Sequence, residues 1–178
     1  VGCKGKLFKV YKFRTMKNSF GEIQITSSDD KRITKLGKTL RKFKLDELPQ
    51  LFNILNGTMS FVGYRPEVPM YVDLNNKLWE KVLTDKPGIT SKATILFRSE
   101  ENILKNTSLD KEYFYKEYIL PCKLLLTIKN NKNKSFIDNL RTIFETFLCI
   151  IYPSAFGKIN EKDVLNYFES LNKDISRK

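Results

Sequence analysis

The sequence predicts an α+β fold that is mostly helical, with a small N-terminal strand unit, built as a single compact domain with amphipathic helices. Three observations favour this class. A chain of 178 residues with 41% hydrophobic residues buries one core of ordinary size. Alternating and β-branched residues concentrate before residue 27, whereas helical apolar spacing dominates after residue 45. Because Pro153 and Gly157 interrupt the last apolar stripe, we divide the chain into a main unit, 1–152, and a helical extension, 153–178.

The strand unit is predicted near the N-terminus. Residues 6–14 (KLFKVYKFR) are rich in aromatic and β-branched side chains, and residues 22–26 (EIQIT) alternate polar with apolar. The stretch 18–21 between them has the composition of a turn, so the two runs would form a hairpin-like pair.

The next elements are helices separated by rigid loops. A basic helix is predicted over 32–42, and a short helix follows it, with Asp46 at its start and Pro49 in its first turn. Its apolar face holds Leu48, Leu51, Phe52 and Leu55. The two prolines of 63–69 predict a non-helical loop, and Pro87-Gly88 predicts a turn.

The C-terminal half is predicted to be helical, beginning with a helix over 109–119. A second helix carries a broad apolar stripe, formed by Phe136, Leu140, Ile143, Phe144, Phe147, Leu148 and Ile151. The simplest expectation places this stripe in the core, and the alternative places it on a membrane surface. A last amphipathic helix would use Val164, Leu165, Phe168 and Leu171.

Positive charge is concentrated at the start of the chain. The formal net charge is +12, and residues 1–44 hold 13 Lys and Arg against 3 Asp and Glu. Such a segment suits nucleic acid, anionic lipid headgroups or a phosphate-rich substrate, and a solvated lysine-rich surface is the alternative.

The residue types restrict the available chemistry. The chain has no histidine, which excludes His-based triads and His-ligated zinc. Three widely spaced cysteines indicate free thiols rather than a disulfide framework or a cysteine zinc cluster. Catalysis would therefore use carboxylate, Lys, Tyr, Cys or a hard metal ion.

A polar cluster carries the candidate chemistry. Its members are Lys12, Arg14, Asp46, Glu47, Arg65 and Glu67. Acids at a helix start are often simple caps. The same carboxylates can also attack phosphorus or bind Mg²⁺, while arginine forks and a lysine hold phosphate.

Four ordered segments resemble one family. The run LDELPQLFNILNGTMSFVGYRPE (45–67) closely resembles the signature of the bacterial sugar transferase family, the monotopic polyprenyl-phosphate phosphoglycosyl transferases. FKVYKFRTM (8–16), DDKRITKLGKTLRK (29–42) and KPGIT (86–90) agree in the same order, and ATILFRSEEN (93–102) is similar to a subset of the family.

The resemblance implies a two-step transfer that makes 1–152 the catalytic domain. Asp46 would attack a UDP-sugar and release UMP, and a membrane polyprenyl (undecaprenyl) phosphate would then take the sugar phosphate from the aspartyl intermediate. Asp46 and Glu47 would be the catalytic pair and would bind Mg²⁺. Arg65, Arg14, Lys12 and Glu67 would contact the substrate. The expected location is the membrane surface at the cytoplasmic face of the bacterial plasma membrane, in the first step of a pathway making exopolysaccharide, capsule or lipopolysaccharide.

Two departures from the family pattern keep alternatives open. The family usually has Pro where Tyr64 stands, and its N-terminal hydrophobic segment would precede residue 1, so we expect either a truncated sequence or an anchor that a partner supplies. A catalytically degenerate scaffold is one alternative. A basic nucleic-acid-binding module is a weaker one, since no recognised nucleic-acid signature is present and no nucleic-acid partner is expected.

Overall fold

The computed structural model describes residues 1–17, 26–131, 135–156 and 159–176, and helices dominate it. The α-helices are α1 (Lys35–Lys42), α2 (Leu51–Leu55), α3 (Lys77–Val82), α4 (Lys92–Leu96), α5 (Glu100–Asn106), α6 (Lys111–Phe114), α7 (Leu120–Asn131), α8 (Phe136–Ile151) and α9 (Glu161–Ser176). Short 3₁₀ turns lie at Cys3–Gly5, Leu45–Gln50, Pro69–Tyr71 and Pro153–Ala155, and a π turn, Tyr115–Ile119, joins α6 to α7. The mostly helical α+β class is confirmed.

The described strands form a two-stranded parallel sheet in the middle of the chain. Strand β1 (Ser60–Val62) pairs with β2 (Gly88–Thr90), in register Ser60 to Gly88 and Val62 to Thr90. The chains approach so closely that a Cβ on Gly88 would lie 2.1 Å from the backbone nitrogen of Gly63. The predicted turn at Pro87-Gly88 is therefore wrong, because Gly88 begins a strand there.

The predicted strand over 6–14 is also wrong, although the segment is extended rather than helical. Its backbone groups bond to the 3₁₀ turn and α2 instead of to a neighbouring strand. The side chain of Asn53 accepts from the Tyr11 amide at 3.0 Å and donates to the Lys9 carbonyl at 2.7 Å. The proposed turn and nearly all of the second predicted strand, 22–26, lie outside the described residues.

One core joins α3 to the C-terminal helices. Its fully buried side chains include Val82, Leu104, Phe114, Ile119 and Val164. Val164 belongs to α9, and this helix packs on α7 within the same core. The division at residue 152 stays a prediction, although α9 shares the core of the main unit.

The predicted core position of the α8 stripe is wrong. Phe144 and Phe147 are each 64% exposed, and the residues that α8 buries fully are Thr142 and Cys149. Hydroxyl contacts hold α8 to the sheet, with Thr146 Oγ1 lying 2.6 Å from Thr90 Oγ1. The helix thus attaches through its small polar face and leaves its apolar stripe outside.

Several helix predictions are confirmed with shifted ends. The basic helix begins at Lys35, and the predicted 48–55 helix starts as the 3₁₀ turn Leu45–Gln50 before becoming α2. The 109–119 helix is α6 followed by the π turn. In the described ranges, no helix combines the length and apolar character needed to cross a bilayer.

Candidate active site

Two adjacent acids are buried at the 3₁₀ turn before α2. Asp46 is 1% exposed and Glu47 is 6% exposed. Lys44, just before them, has a left-handed backbone with φ of 56°, and the Glu47 amide donates to its carbonyl. Because burying a carboxylate is costly without a partner, each acid requires a nearby cation or donor.

Glu47 is held by Arg65 through two hydrogen bonds. The guanidinium donates to Oε2 at 3.0 Å and to Oε1 at 2.8 Å, the fork geometry that arginine offers to carboxylates. Burial alone would raise the pKa of Glu47, but the charge and hydrogen bonds of Arg65, with Lys44 and Lys12, lower it to about 2. Glu47 is therefore ionised at neutral pH.

Asp46 is paired through one oxygen only. Lys12 Nζ lies 2.9 Å from Oδ2, and the other oxygen, Oδ1, is buried with no hydrogen-bond partner in the described part of the chain. If Asp46 only capped the helix, a buried carboxylate oxygen without a partner would lower stability with no benefit. Within the described ranges, Oδ1 of Asp46 is therefore unpartnered rather than satisfied, and a bound cation or electrophile would supply the missing interaction.

The extended N-terminal segment delivers Lys12 to this position. The Phe13 amide donates to the Asp46 carbonyl at 2.9 Å, and Asn53 accepts from the amide of Tyr11, the residue directly before Lys12. The sequence did not reveal the role of Asn53, because an asparagine within a predicted helix does not indicate that its side chain binds a distant backbone segment. Arg14, by contrast, is exposed and makes no ion pair with Asp46 or Glu47, so the structure does not bring it into the cluster.

Glu67 belongs to a second polar group near Arg65. The Tyr115 hydroxyl donates to Glu67 Oε1 at 2.7 Å, and Lys123 Nζ lies 5.0 Å from the centre of the Tyr115 ring. Lys123 also pairs with Glu100. Burial raises the pKa of Glu67, while Lys123 and the Tyr115 hydroxyl oppose that shift. Sequence reasoning missed Tyr115, Lys123 and Glu100, which the chain brings together from distant positions.

Tyr64 occupies the position where the resemblance expects proline. The Tyr64 side chain is buried in the core, and its carbonyl accepts from the Gly88 amide at 2.8 Å. Sheet-type bonding and aromatic packing thus fix the backbone before Arg65 without a proline ring. The Arg65–Glu47 fork forms with tyrosine at this position.

Comparison with known proteins decides the family. The sequence profile described as bacterial sugar transferase matches residues 1–151, which is most of the chain and includes every residue of the cluster. The chain belongs to the bacterial sugar transferase family. The match covers the main unit and stops close to the boundary that we predicted at residue 152.

The chain is similar to several named members of the bacterial sugar transferase family. The chain is 40% identical over 103 residues to galactosyl transferase CpsE of Streptococcus agalactiae, covering 51% of this chain and 23% of that protein. It is 38% identical over 130 residues to the uncharacterized sugar transferase EpsL of Bacillus subtilis, covering 72% and 64%. It is 40% identical over 122 residues to the UDP-glucose:undecaprenyl-phosphate glucose-1-phosphate transferase of Escherichia coli, covering 63% and 26%. The chain thus spans less than two thirds of the length of each of these relatives.

A magnesium ion fits the chemistry of the acidic pair. Among the described residues, no group of three or more acidic, Cys or His side chains is placed to hold a metal ion. Mg²⁺ is commonly bound by one or two carboxylates together with substrate phosphates and water. Oδ1 of Asp46 has no hydrogen-bond partner in the described ranges, and each oxygen of Glu47 accepts one hydrogen bond from Arg65 and keeps a second lone pair, so both acids offer a ligand position.

The low pKa of Glu47 predicts a loss of stability in acid. The unfolded chain, with a Glu pKa near 4.5, binds this proton before the folded chain does, so the contribution is complete above pH 4.5 and disappears as pH falls toward 2. We expect at most about 3 kcal/mol from this group, reduced by the partial exposure of Arg65. Denaturant unfolding between pH 5 and 2.5 measures it, and Glu47→Gln should flatten that dependence. Equal pH dependence in both proteins would contradict the prediction.

Proposed function

We propose that the chain transfers a sugar 1-phosphate from a UDP-sugar to undecaprenyl phosphate and releases UMP. The observation that carries this proposal is the buried Asp46, with one oxygen paired to Lys12 and the other without a hydrogen-bond partner among the described residues. Family membership supports it, and so does the activity for which the Escherichia coli relative is named. Transfer of a phosphosugar between phosphates needs a nucleophile and cationic groups rather than histidine, which this chain lacks.

The proposed reaction has two displacements at the phosphorus next to the sugar. In the first, Asp46 Oδ1 forms a bond to this phosphorus while the bond between the phosphorus and the oxygen of UMP breaks. UMP leaves with the electron pair of the broken bond. In the second, a phosphate oxygen of undecaprenyl phosphate attacks the same phosphorus, and the Asp46 carboxylate leaves. Covalent catalysis of this kind replaces one difficult displacement by two easier ones.

The cations around the acids have distinct proposed tasks. Lys12 holds Oδ2 and thereby orients the other oxygen of Asp46. Arg65 has a partly exposed guanidinium, so it can meet substrate phosphates while its fork remains on Glu47. Arg14 and Glu67 stay proposed substrate contacts, Arg14 from the exposed segment and Glu67 from the second polar group near Arg65. Mg²⁺ held by Asp46 and Glu47 would supply charge neutralisation for the departing UMP.

UMP release is the measurement that tests this function. The membrane-associated protein would be incubated with a panel of UDP-sugars, undecaprenyl phosphate and Mg²⁺. We expect UMP to appear with at least one sugar and to cease when EDTA removes divalent cations. An absence of UMP with every sugar would contradict the proposal and favour a degenerate scaffold.

We further propose that α8 and α2 lie on the cytoplasmic surface of the bacterial plasma membrane. Besides the α8 stripe, the α2 region exposes Leu48, Leu51, Phe52 and Leu55, the last of them by 82%. Apolar patches of this extent on a folded chain mark an interaction surface. Among the basic first 44 residues, the exposed cations of the extended segment 6–14 suit anionic headgroups at about 1 kcal/mol for each Lys or Arg near them. The product would then enter the synthesis of a surface polysaccharide.

Replacing Phe144 and Phe147 together with glutamate should weaken vesicle binding. Each buried phenylalanine contributes about 1.5–3 kcal/mol, so we expect the affinity to fall by at least about 100-fold. Co-sedimentation with vesicles containing anionic lipid measures the change. Tyr167→Glu, at an exposed aromatic residue on α9, serves as the control. Unchanged binding of the double variant would exclude α8 from the membrane surface.

A further inference from the structure

A cavity lies on the side of Arg65 that faces α4, α5 and α7. Its polar lining includes Lys44, Arg65, Glu67, Arg98, Glu100 and Lys123. Hydroxyl and aromatic side chains complete the wall, among them Thr94 and Trp79. Because Arg65 lines this cavity and also holds Glu47, the cavity adjoins the acidic pair.

Most of the charged groups in this wall have partners. Arg65 holds Glu47, Lys123 pairs with Glu100, and Glu101 pairs with Arg41. Arg98 donates to the carbonyls of Pro153 and Phe156. Lys44 differs, since its ammonium has no carboxylate within 4.0 Å anywhere in the described ranges of the chain.

The backbone fixes Lys44 where it is. The residue is half-buried, and its left-handed conformation is uncommon for a residue with a β-carbon. Its amide donates to the Arg41 carbonyl and its carbonyl accepts from the Glu47 amide, so Lys44 and the acidic pair form one local unit. The backbone therefore holds Lys44 in the cavity wall, beside the acidic pair.

We propose that Lys44 is a phosphate ligand for the nucleotide-sugar, contacting the diphosphate from the cavity side of Arg65. The inference rests on the proposed function and adds a binding residue to it. Two cations on one wall can share the charge of a diphosphate, Arg65 as a fork and Lys44 as a compact point charge. Lys44 would thus select for the doubly phosphorylated donor rather than for the lipid acceptor.

The test compares Lys44→Gln with Lys42→Gln, two variants that lose the same charge two residues apart. Lys42 is exposed at the end of α1 and lies outside the cavity. For Lys44→Gln we expect the Kd for UDP in Mg²⁺, and the KM for the UDP-sugar, to rise about tenfold, in keeping with a charged hydrogen bond. The KM for undecaprenyl phosphate should not change, and Lys42→Gln should match the unaltered protein.

The outcomes separate this inference from the proposed function. If the unaltered protein releases UMP and Lys44→Gln behaves like Lys42→Gln, the assignment of Lys44 is wrong while the function stands. If the unaltered protein binds no UDP and releases no UMP, the proposed function itself fails. Lys44→Asn, which tolerates the left-handed backbone better, replaces Lys44→Gln if the latter does not fold. A rise in the KM for undecaprenyl phosphate alone would also overturn the assignment to the donor.

Discussion

Replacing Asp46 with asparagine is expected to reduce UMP release by at least about 1,000-fold, the scale seen when a member of a catalytic unit is lost. Asparagine retains the size of the side chain and removes the negative charge that attacks phosphorus. The change also removes the charge partner of Lys12. Assaying UMP with the UDP-sugar that is active in the unaltered protein measures the effect directly.

The choice of asparagine separates chemistry from capping. Asparagine caps helices about as well as aspartate, so a purely structural Asp46 would leave UMP release nearly intact. Circular dichroism and the unfolding midpoint show whether the variant is folded. Trapping adds a second readout, because only the unaltered protein should retain labelled sugar phosphate in the absence of acceptor. Equal rates in the two proteins would show that the nucleophile has been misassigned.

Replacing Arg65 with alanine is expected to affect both activity and stability. It leaves the buried Glu47 without its two hydrogen bonds, which should lower the free energy of unfolding by about 1–3 kcal/mol. It also removes the guanidinium proposed to meet substrate phosphates, and UMP release should fall about 100- to 1,000-fold. Denaturant unfolding and the UMP assay measure the two effects separately.

Two further variants serve as comparisons for Arg65→Ala. Arg65→Lys keeps the charge but loses the fork, so we expect partial recovery of stability and little recovery of rate. Arg141→Ala removes an exposed ion pair with Glu145 on α8 and should cost less than about 0.5 kcal/mol. If Arg65→Ala is as mild as Arg141→Ala in both measurements, Arg65 contributes neither to the buried pair nor to substrate binding.

The local sequence pattern was sufficient to predict features that lie within a single helix or turn. The helix at 136–151 follows from its apolar spacing, and Ser135 adds a capping box with Asp138 that the structure displays. The acidic pair at the start of the 48–55 helix is likewise a local feature, visible as Asp46-Glu47 ahead of Pro49. Periodicity did not reveal which way the α8 stripe faces, because a stripe looks the same against a core or a membrane.

Strand prediction failed for a related reason. Residues 6–14 have the composition of a strand, yet β-propensity describes a pleated surface that needs a neighbour. Here Asn53 and Asp46 supply the hydrogen-bond partners, and neither is recognisable as such from composition. The observed sheet uses Ser60–Val62 and Gly88–Thr90, two short strands whose pairing depends on the close approach of Gly63 and Gly88.

The sequence by itself determined the class of fold, the absence of histidine chemistry and the family, because these depend on residue types and on ordered local motifs. Only the tertiary structure decided which cation serves which acid. Lys12 meets Asp46 across 34 positions and Arg65 meets Glu47 across 18, and such pairings arise from chain packing rather than from local spacing. The tertiary structure also decided that, among the described residues, one oxygen of Asp46 has no hydrogen-bond partner and Lys44 has no paired acid, since both depend on the distances between distant parts of the chain.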